Sequence, residues 1–445
     1  MRLRGAVACA GVTLMAISGC ASAPSDPGHA ELAAIVNDPS LPLASLSVLA
    51  IRGGEVVYEA QFGRRYLHPS DASQDKPTHR DTLYRIASIS KLVTTLGVMR
   101  LVEDGRLALD TDVAEYLGWP LRNPHFPGAP ITLRMLLTHT SSLRDDGGYH
   151  WPASTSLRAV LVPGGARHGE GTMWSAHARP GAWFSYANLP WGIVGTVMEK
   201  ATGERFDRLM RRLVLDPLGM RGGFEPAEFS AAQLDNLATL YRKRSGPEGK
   251  EIWDARGPWV AQVDDYSSAR PMHRAASGYT VGSNGTLFGP QGNLRASAAD
   301  LGRVMRMLMA GGVIDDKRFL RQETVGLMLS RQWRHDGSNG NSTYGAGKGR
   351  FNAWGLGVQH FLDVSQDGAG DRLVEGGGFA AVGHHGDAWG LQGAFVFDPA
   401  ARNGLIYLAG GTGFDPALDP GVYSGFHRYE ERILTALHRH LLASP

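Results

Sequence analysis

The sequence predicts an α/β (α+β) fold: an antiparallel sheet assembled from both chain ends, flanked by helices, with a mainly helical part inserted between its strands. Three observations predict it. Short β-rich runs lie near both termini, whereas the middle of the chain carries apolar residues at helical spacing. The 58 glycines and 24 prolines among 445 residues supply more turns than a coiled coil or a plain helical bundle uses. The expected sheet part comprises residues 32–85 and 340–445, and the helical part 86–339, with a long irregular excursion at about 221–290.

The elements follow in order. Leu46 to Arg52 and Glu55 to Phe62 flank Gly53-Gly54, the signature of a hairpin with turn glycines. Pro69 to Arg80 reads as a polar loop. From Ile86 the pattern turns helical, with Leu92, Leu96 and Met99 on one face and a stop at Asp104-Gly105. A second helix is expected from Asp110, a third over Thr132 to Leu137, and a fourth from Asn188, its cap, to Gly203. Arg221 to Gly292 is polar and rich in Gly, Pro and aromatics, and reads as excursions with little regular structure. A helix is expected over Ser297 to Ala310, and strands over Trp354 to Val358, Ala394 to Phe397 and Leu405 to Leu408. A final amphipathic helix carries Phe426, Ile433, Leu437 and Leu441.

Composition narrows the function classes. With 43% hydrophobic and 20% charged residues the chain is too apolar for disorder. Its 45 basic and 43 acidic residues give a near-neutral balance, which offers no field to gather nucleic acid. Arg2 and Arg4 precede an apolar stretch from Ala6 to Ile17, too short to span a bilayer, which reads as a secretory signal over residues 1–19. Its end has two readings. Ala21-Ser22-Ala23 fits an ordinary cleavage site, although Pro24 would be an awkward neighbour. Ile17-Ser18-Gly19-Cys20 resembles a bacterial lipobox, which implies acylation of Cys20, membrane attachment through that lipid, a tether over residues 20–31 and a periplasm-facing place in the cell envelope. Cys9 and Cys20 are the only cysteines, so the mature chain has one thiol, and neither an intrachain disulfide nor a thiolate metal cluster is expected.

The chemistry centres on Ser88-Ile89-Ser90-Lys91, an S-x-x-K at a helix start. Three residues of helix turn about 300° and rise about 4.5 Å, which sets Ser88 beside Lys91. Such a lysine activates a hydroxyl if it is neutral. At its ordinary pKa only about one lysine in 2500 is neutral at pH 7, and burial worth about 3 units raises that to about a quarter. The fold must then supply about 4 kcal/mol. The helix start also offers the Ser88 N–H to a developing oxyanion. A second copy, Ser73-Gln74-Asp75-Lys76, sits in a polar loop before Pro77 and lacks that alignment.

In this context Ser88-x-x-Lys91 resembles the first motif of the serine β-lactamase and penicillin-binding protein superfamily. The resemblance is to its class C-related branch of family VIII carboxylesterases, D-aminopeptidases and DD-peptidases. Asp81 to Ile86, Ile131 to Thr140, Asp216 to Met220 and Ala298 to Leu301 are also similar. Such segments run from about residue 45 to 410, leaving about 221–290 unmatched. The resemblance implies a β-lactamase-like fold and an acyl-Ser88 intermediate in cleavage of a small ester, an amide, a D-amino-acid peptide or a β-lactam, cell-wall peptide among them, with no cofactor. It places the second motif, Y-x-N, on Tyr186-Ala187-Asn188: Tyr186 sharing the proton with Lys91, Asn188 bonding the lysine or a substrate amide. The third motif falls on Gly383-His384-His385-Gly386, where His384 stands in the lysine's place against a substrate carboxylate and Gly386 admits a close approach. The Asp387 N–H would be the second oxyanion donor. Histidine there, mostly neutral at pH 7, argues against potent β-lactam hydrolysis. The alternative is a slow penicillin-binding protein or cell-wall receptor that stays acylated.

Other arrangements are set aside. There is no G-x-S-x-G and no H-E-x-x-H. On one strand His384 faces away from His385 and Asp387, so no metal site is expected. His385 reads as a surface or packing residue, His139 as bonding a loop, Trp253 and Trp259 as packing. Tyr266-Ser267-Ser268 is a rival Y-x-S in the unmatched stretch.

Overall fold

The computed structural model describes residues 27–247, 250–275, 278–343 and 347–442. The signal segment, the lipobox-like Cys20 and the start of the tether lie outside the described residues. The chain is already helical from Pro27 to Val36, so what was expected as tether up to residue 31 is partly a helix packed on the sheet.

Strands from both chain ends form one antiparallel sheet. In order across it lie Trp333–Arg334, Ala353–Trp354, Gln359–Phe361, Ala381–Ala388, Leu391–Asp398, Asn403–Thr412, Leu43–Arg52, Glu55–Tyr66 and Lys76–Pro77. The two ends meet where Leu43–Arg52 pairs with Asn403–Thr412, Val48 opposite Tyr407. Gly53 and Gly54 take φ of 60° and 91° in the first hairpin turn, a region costly for residues with a Cβ.

Strand alternation divides the core. Leu46, Val48 and Ala50 pack with Val396, Tyr407, Ile433 and Leu437 on one face, under the helices Pro27–Val36 and Arg428–Leu437. Leu49, Ile51, Phe395 and Ile406 point to the other face, into the larger core built with the helices of the middle segment. Among these, Ile89–Glu103 is buried nearly all round and packs on Ala381–Ala388, while Leu189–Thr202 crosses nearby with Pro190 in its first turn and Gly203 at its end, φ 71°.

Two expectations are corrected. The stretch at about 221–290 is not wholly irregular: Leu240–Ser245 pairs with Trp259–Val263, and Arg242 joins the main sheet beside Thr412. Both strands are short and the first is basic, so their mutual pairing and the edge at Thr412, far away in sequence, stabilise them. The run Trp354 to Val358 is not one strand. Gly355 and Gly357 turn the chain after Trp354, and pairing resumes at Gln359.

Candidate active site

The site forms where the start of the helix Ile89–Glu103 meets the strand Ala381–Ala388. The neighbouring strand Gln359–Phe361 pairs with that strand only at residues 381 to 383, so beyond Gly383 its edge is open toward Ser88. Gly386 permits the approach: a Cβ there would lie 2.7 Å from the Ile86 carbonyl oxygen. On the helix side Ala87 has φ 46°, a left-handed value that costs a residue with a side chain about 1–2 kcal/mol and turns Ser88 into the cleft. Among the described residues the Ser88 backbone N–H has no backbone partner.

Lys91 is fully buried, and its Nζ lies 3.0 Å from Ser88 Oγ, 2.8 Å from Asn188 Oδ1 and 3.2 Å from the Gln291 carbonyl oxygen. Tyr186 donates its hydroxyl to the same Ser88 Oγ at 2.9 Å, and Nζ sits 4.9 Å from the Tyr186 ring centre. Burial pulls the lysine down to about 7, partly opposed by the nearby Asp145 carboxylate. When it loses a proton, two N–H bonds can stay on Asn188 and Gln291 while the lone pair faces Ser88. The base form therefore leaves no partner unsatisfied.

The sequence reading missed Asp145. Contrary to the expectation that it caps the following helix, Asn188 makes no capping bond with its side chain. Asp145 caps that helix instead, accepting the backbone N–H groups of Asn188 (2.8 Å) and Leu189 (2.9 Å) and the Asn188 amide (2.9 Å). One carboxylate thus fixes the helix start and aims Asn188 Oδ1 at the lysine. Replacing Asp145 with Ala should cost about 1–3 kcal/mol of stability by chemical denaturation. Because the anion that raises the lysine is gone, any acid limb of activity should move to lower pH.

Tyr186 is held by rings, Phe351 stacked at 5.0 Å and His139 at 4.4 Å, with Trp354 edge-on at 5.8 Å. His139 accepts the Ala187 N–H on Nδ1, and burial keeps it neutral, so it bonds a loop as expected and braces the phenol. The pocket is about 110 Å³, lined among others by Ser88, Tyr186, Asn188, Arg350, His384 and Asp387.

A profile of the Beta-lactamase family matches residues 40–422. The chain belongs to that family. It is similar to Esterase EstB of Burkholderia gladioli, 32% identical over 222 residues, which cover 46% of this chain and 54% of the esterase. D-alanyl-D-alanine-carboxypeptidase/endopeptidase AmpH of Escherichia coli (strain K12) is 29% identical over 32% of this chain and 36% of its own length. The chain thus spans about half or less of these two relatives. The fold is shared with D-amino acid amidase from Ochrobactrum anthropi SV3, with a TM-score of 0.59 and 19% identity over 93% of this chain and 99% of that one.

Against that family's third motif, His384 departs in chemistry as well as in letter. Its Nδ1 lies 2.6 Å from the His385 carbonyl oxygen, which can only accept, so the proton sits on Nδ1 and Nε2 is a lone pair. Burial and the nearby Lys91 keep the ring neutral, and Nε2 is buried without a partner. In this state the ring, which lines the pocket, offers a substrate an acceptor rather than the cation a lysine would supply. His385 is a packing residue, not a surface one: Arg350 donates to its Nδ1 at 2.7 Å, and its Nε2 lies 2.6 Å from Glu430. Asp387 lines the pocket with its side chain exposed.

The rival motifs stand apart. Lys76 pairs with Asp235 rather than with Ser73, and the Tyr266 hydroxyl donates to Asp264 beside Arg295. Among the described residues no cluster of three His, Cys, Asp or Glu is placed to hold a metal, and no helix is long and apolar enough to cross a membrane.

Proposed function

We propose that the protein is a serine hydrolase that cleaves an ester or amide through an acyl-Ser88 intermediate. The observation that carries this is the contact of one hydroxyl with both a buried lysine lowered to about 7 and a phenol, at 3.0 and 2.9 Å. In the first half, Lys91 Nζ takes the Ser88 proton as Oγ bonds the substrate carbonyl carbon. The oxyanion lies against the backbone N–H groups of Ser88 and Asp387. The proton passes through Tyr186 to the leaving oxygen or nitrogen, whose bond to carbon then breaks. In the second half water attacks the acyl carbon, gives a proton to the same pair, and Ser88 leaves with it.

The names of the relatives, an esterase and a D-alanyl-D-alanine peptidase, support small esters and D-amino-acid peptides as the substrate classes. Incubation with 4-nitrophenyl butyrate followed by peptide mass spectrometry tests the reading. The expected result is steady release of 4-nitrophenolate with a butyryl group trapped on the peptide containing Ser88. An acyl group that stays for hours without turnover would mark the slow penicillin-binding or receptor alternative, and neither turnover nor an adduct would refute both.

The proposal extends to location: a lipid on Cys20 holding the domain in the cell envelope, facing the periplasm. The full chain expressed in a bacterial host should partition into detergent, and Cys20→Ser should move it to the aqueous phase. Equal partitioning of both would leave plain secretion.

A further inference from the structure

Beside the pocket lies a second chamber of about 240 Å³, which shares Arg350 and Asp387 with it and is otherwise lined by Arg242, Trp253, Gln392 and Thr412, among others. Arg242 and Trp253, on one of its walls, belong to the stretch at about 221–290, apart from the three motifs at Ser88, Tyr186 and His384. Two guanidinium groups face this space, and among the described residues no carboxylate comes within 4 Å of either. Both are held in place. Arg242 stacks on Trp253 at 5.0 Å and Arg350 on Phe426 at 4.7 Å. The His385–Glu430 pair takes one Arg350 N–H.

The polar atoms are incompletely satisfied. Arg242 Nε is buried without an acceptor, and Gln392, only 4% exposed, has a buried Oε1 without a donor. Unpaired buried polar groups are costly, and here a donor and an acceptor line one cavity. Burial also works against the Arg242 charge, opposed in part by Asp387 and Asp415, and an incoming anion would stabilise it further. Asp387 and Asp415 at the walls limit that anion to a single charge.

We propose that this chamber is a distal binding site for a monocarboxylate carried on a peptide-like amide chain. The carboxylate accepts from Arg242 and Arg350, and an amide N–H donates to Gln392 Oε1. The site rests on the hydrolase reading in one respect: its occupant would be the remote part of the substrate whose reacting bond lies at Ser88.

Binding can be measured without turnover. The full chain carrying Ser88→Ala is titrated by calorimetry with N-acetylglycylglycine and with N-acetylglycylglycinamide. The expected result is a preference of about ten-fold or more for the carboxylate, the size of a charge-assisted hydrogen bond. Arg242→Gln should erase it. Gln392→Glu, nearly isosteric and buried on the floor, should erase or reverse it, and carries the test should Arg242→Gln disturb the strand. Equal affinities, no binding of either peptide, or a preference that survives both substitutions would overturn the proposal. Wild-type turnover of 4-nitrophenyl butyrate is read separately. Its absence overturns the hydrolase reading, while a lost carboxylate preference overturns the chamber alone.

Discussion

Replacing Ser88 with alanine is expected to lower kcat/KM for 4-nitrophenyl butyrate by about 10⁴-fold or more. The effect is this large because no second nucleophile stands ready. Among the groups lining the pocket, Ser88 alone touches both a buried amine and a phenol. The fold should survive the change, since the Ser88 side chain makes no capping bond to the helix it starts. Unaltered turnover with an unaltered denaturation midpoint would remove Ser88 from the chemistry.

The second large effect falls on Lys91. Lys91→Met should lower kcat/KM by about 10³-fold or more, because the phenol of Tyr186, the other group on Ser88 Oγ, is a poor base at neutral pH without the adjacent amine. It should also change how stability depends on pH. The folded-state value of about 7 lies below the ordinary 10.5, so folding expels a proton between those limits. Above pH 10.5 the lysine is neutral in both states and imposes no penalty. As pH falls toward 7 the unfolded chain gains the proton first and the folded state loses about 1.4 kcal/mol per unit, about 5 kcal/mol in all. Below 7 both states are protonated and the penalty stays constant. Urea denaturation of the wild type, minus that of Lys91→Met, should therefore rise with pH from 7 to 10. A flat difference would show an ordinary, hydrated lysine.

Much of this site could be read from local pattern. Ser88 and Lys91 are one turn apart, so helical geometry alone brings them together, and Thr132, Ser297 and Gly203 mark helix ends as their chemistry predicts. Tyr186 and Asn188 could be located only through resemblance, because 98 and 97 residues separate them from their partners. What stayed hidden depends on tertiary contacts. Asp145 lies in a loop and gives no sign that it caps a helix more than forty residues later. The strand at Leu240 carries Arg242, Lys243 and Arg244, a charge run that reads as solvated coil until Trp259–Val263 and the edge at Thr412 supply its hydrogen bonds. The state of His384 was equally out of reach, since it follows from which nitrogen faces the His385 carbonyl.

The central claim is that an amine held uncharged near neutrality draws the proton from Ser88. Its most direct test is the rate at which a fluorophosphonate acquires Ser88 Oγ, followed from pH 5 to 10. A rise through an inflection near 7 to a plateau, absent in Lys91→Met, is the expected result. An inflection above 9, or a profile identical in the two proteins, would contradict it.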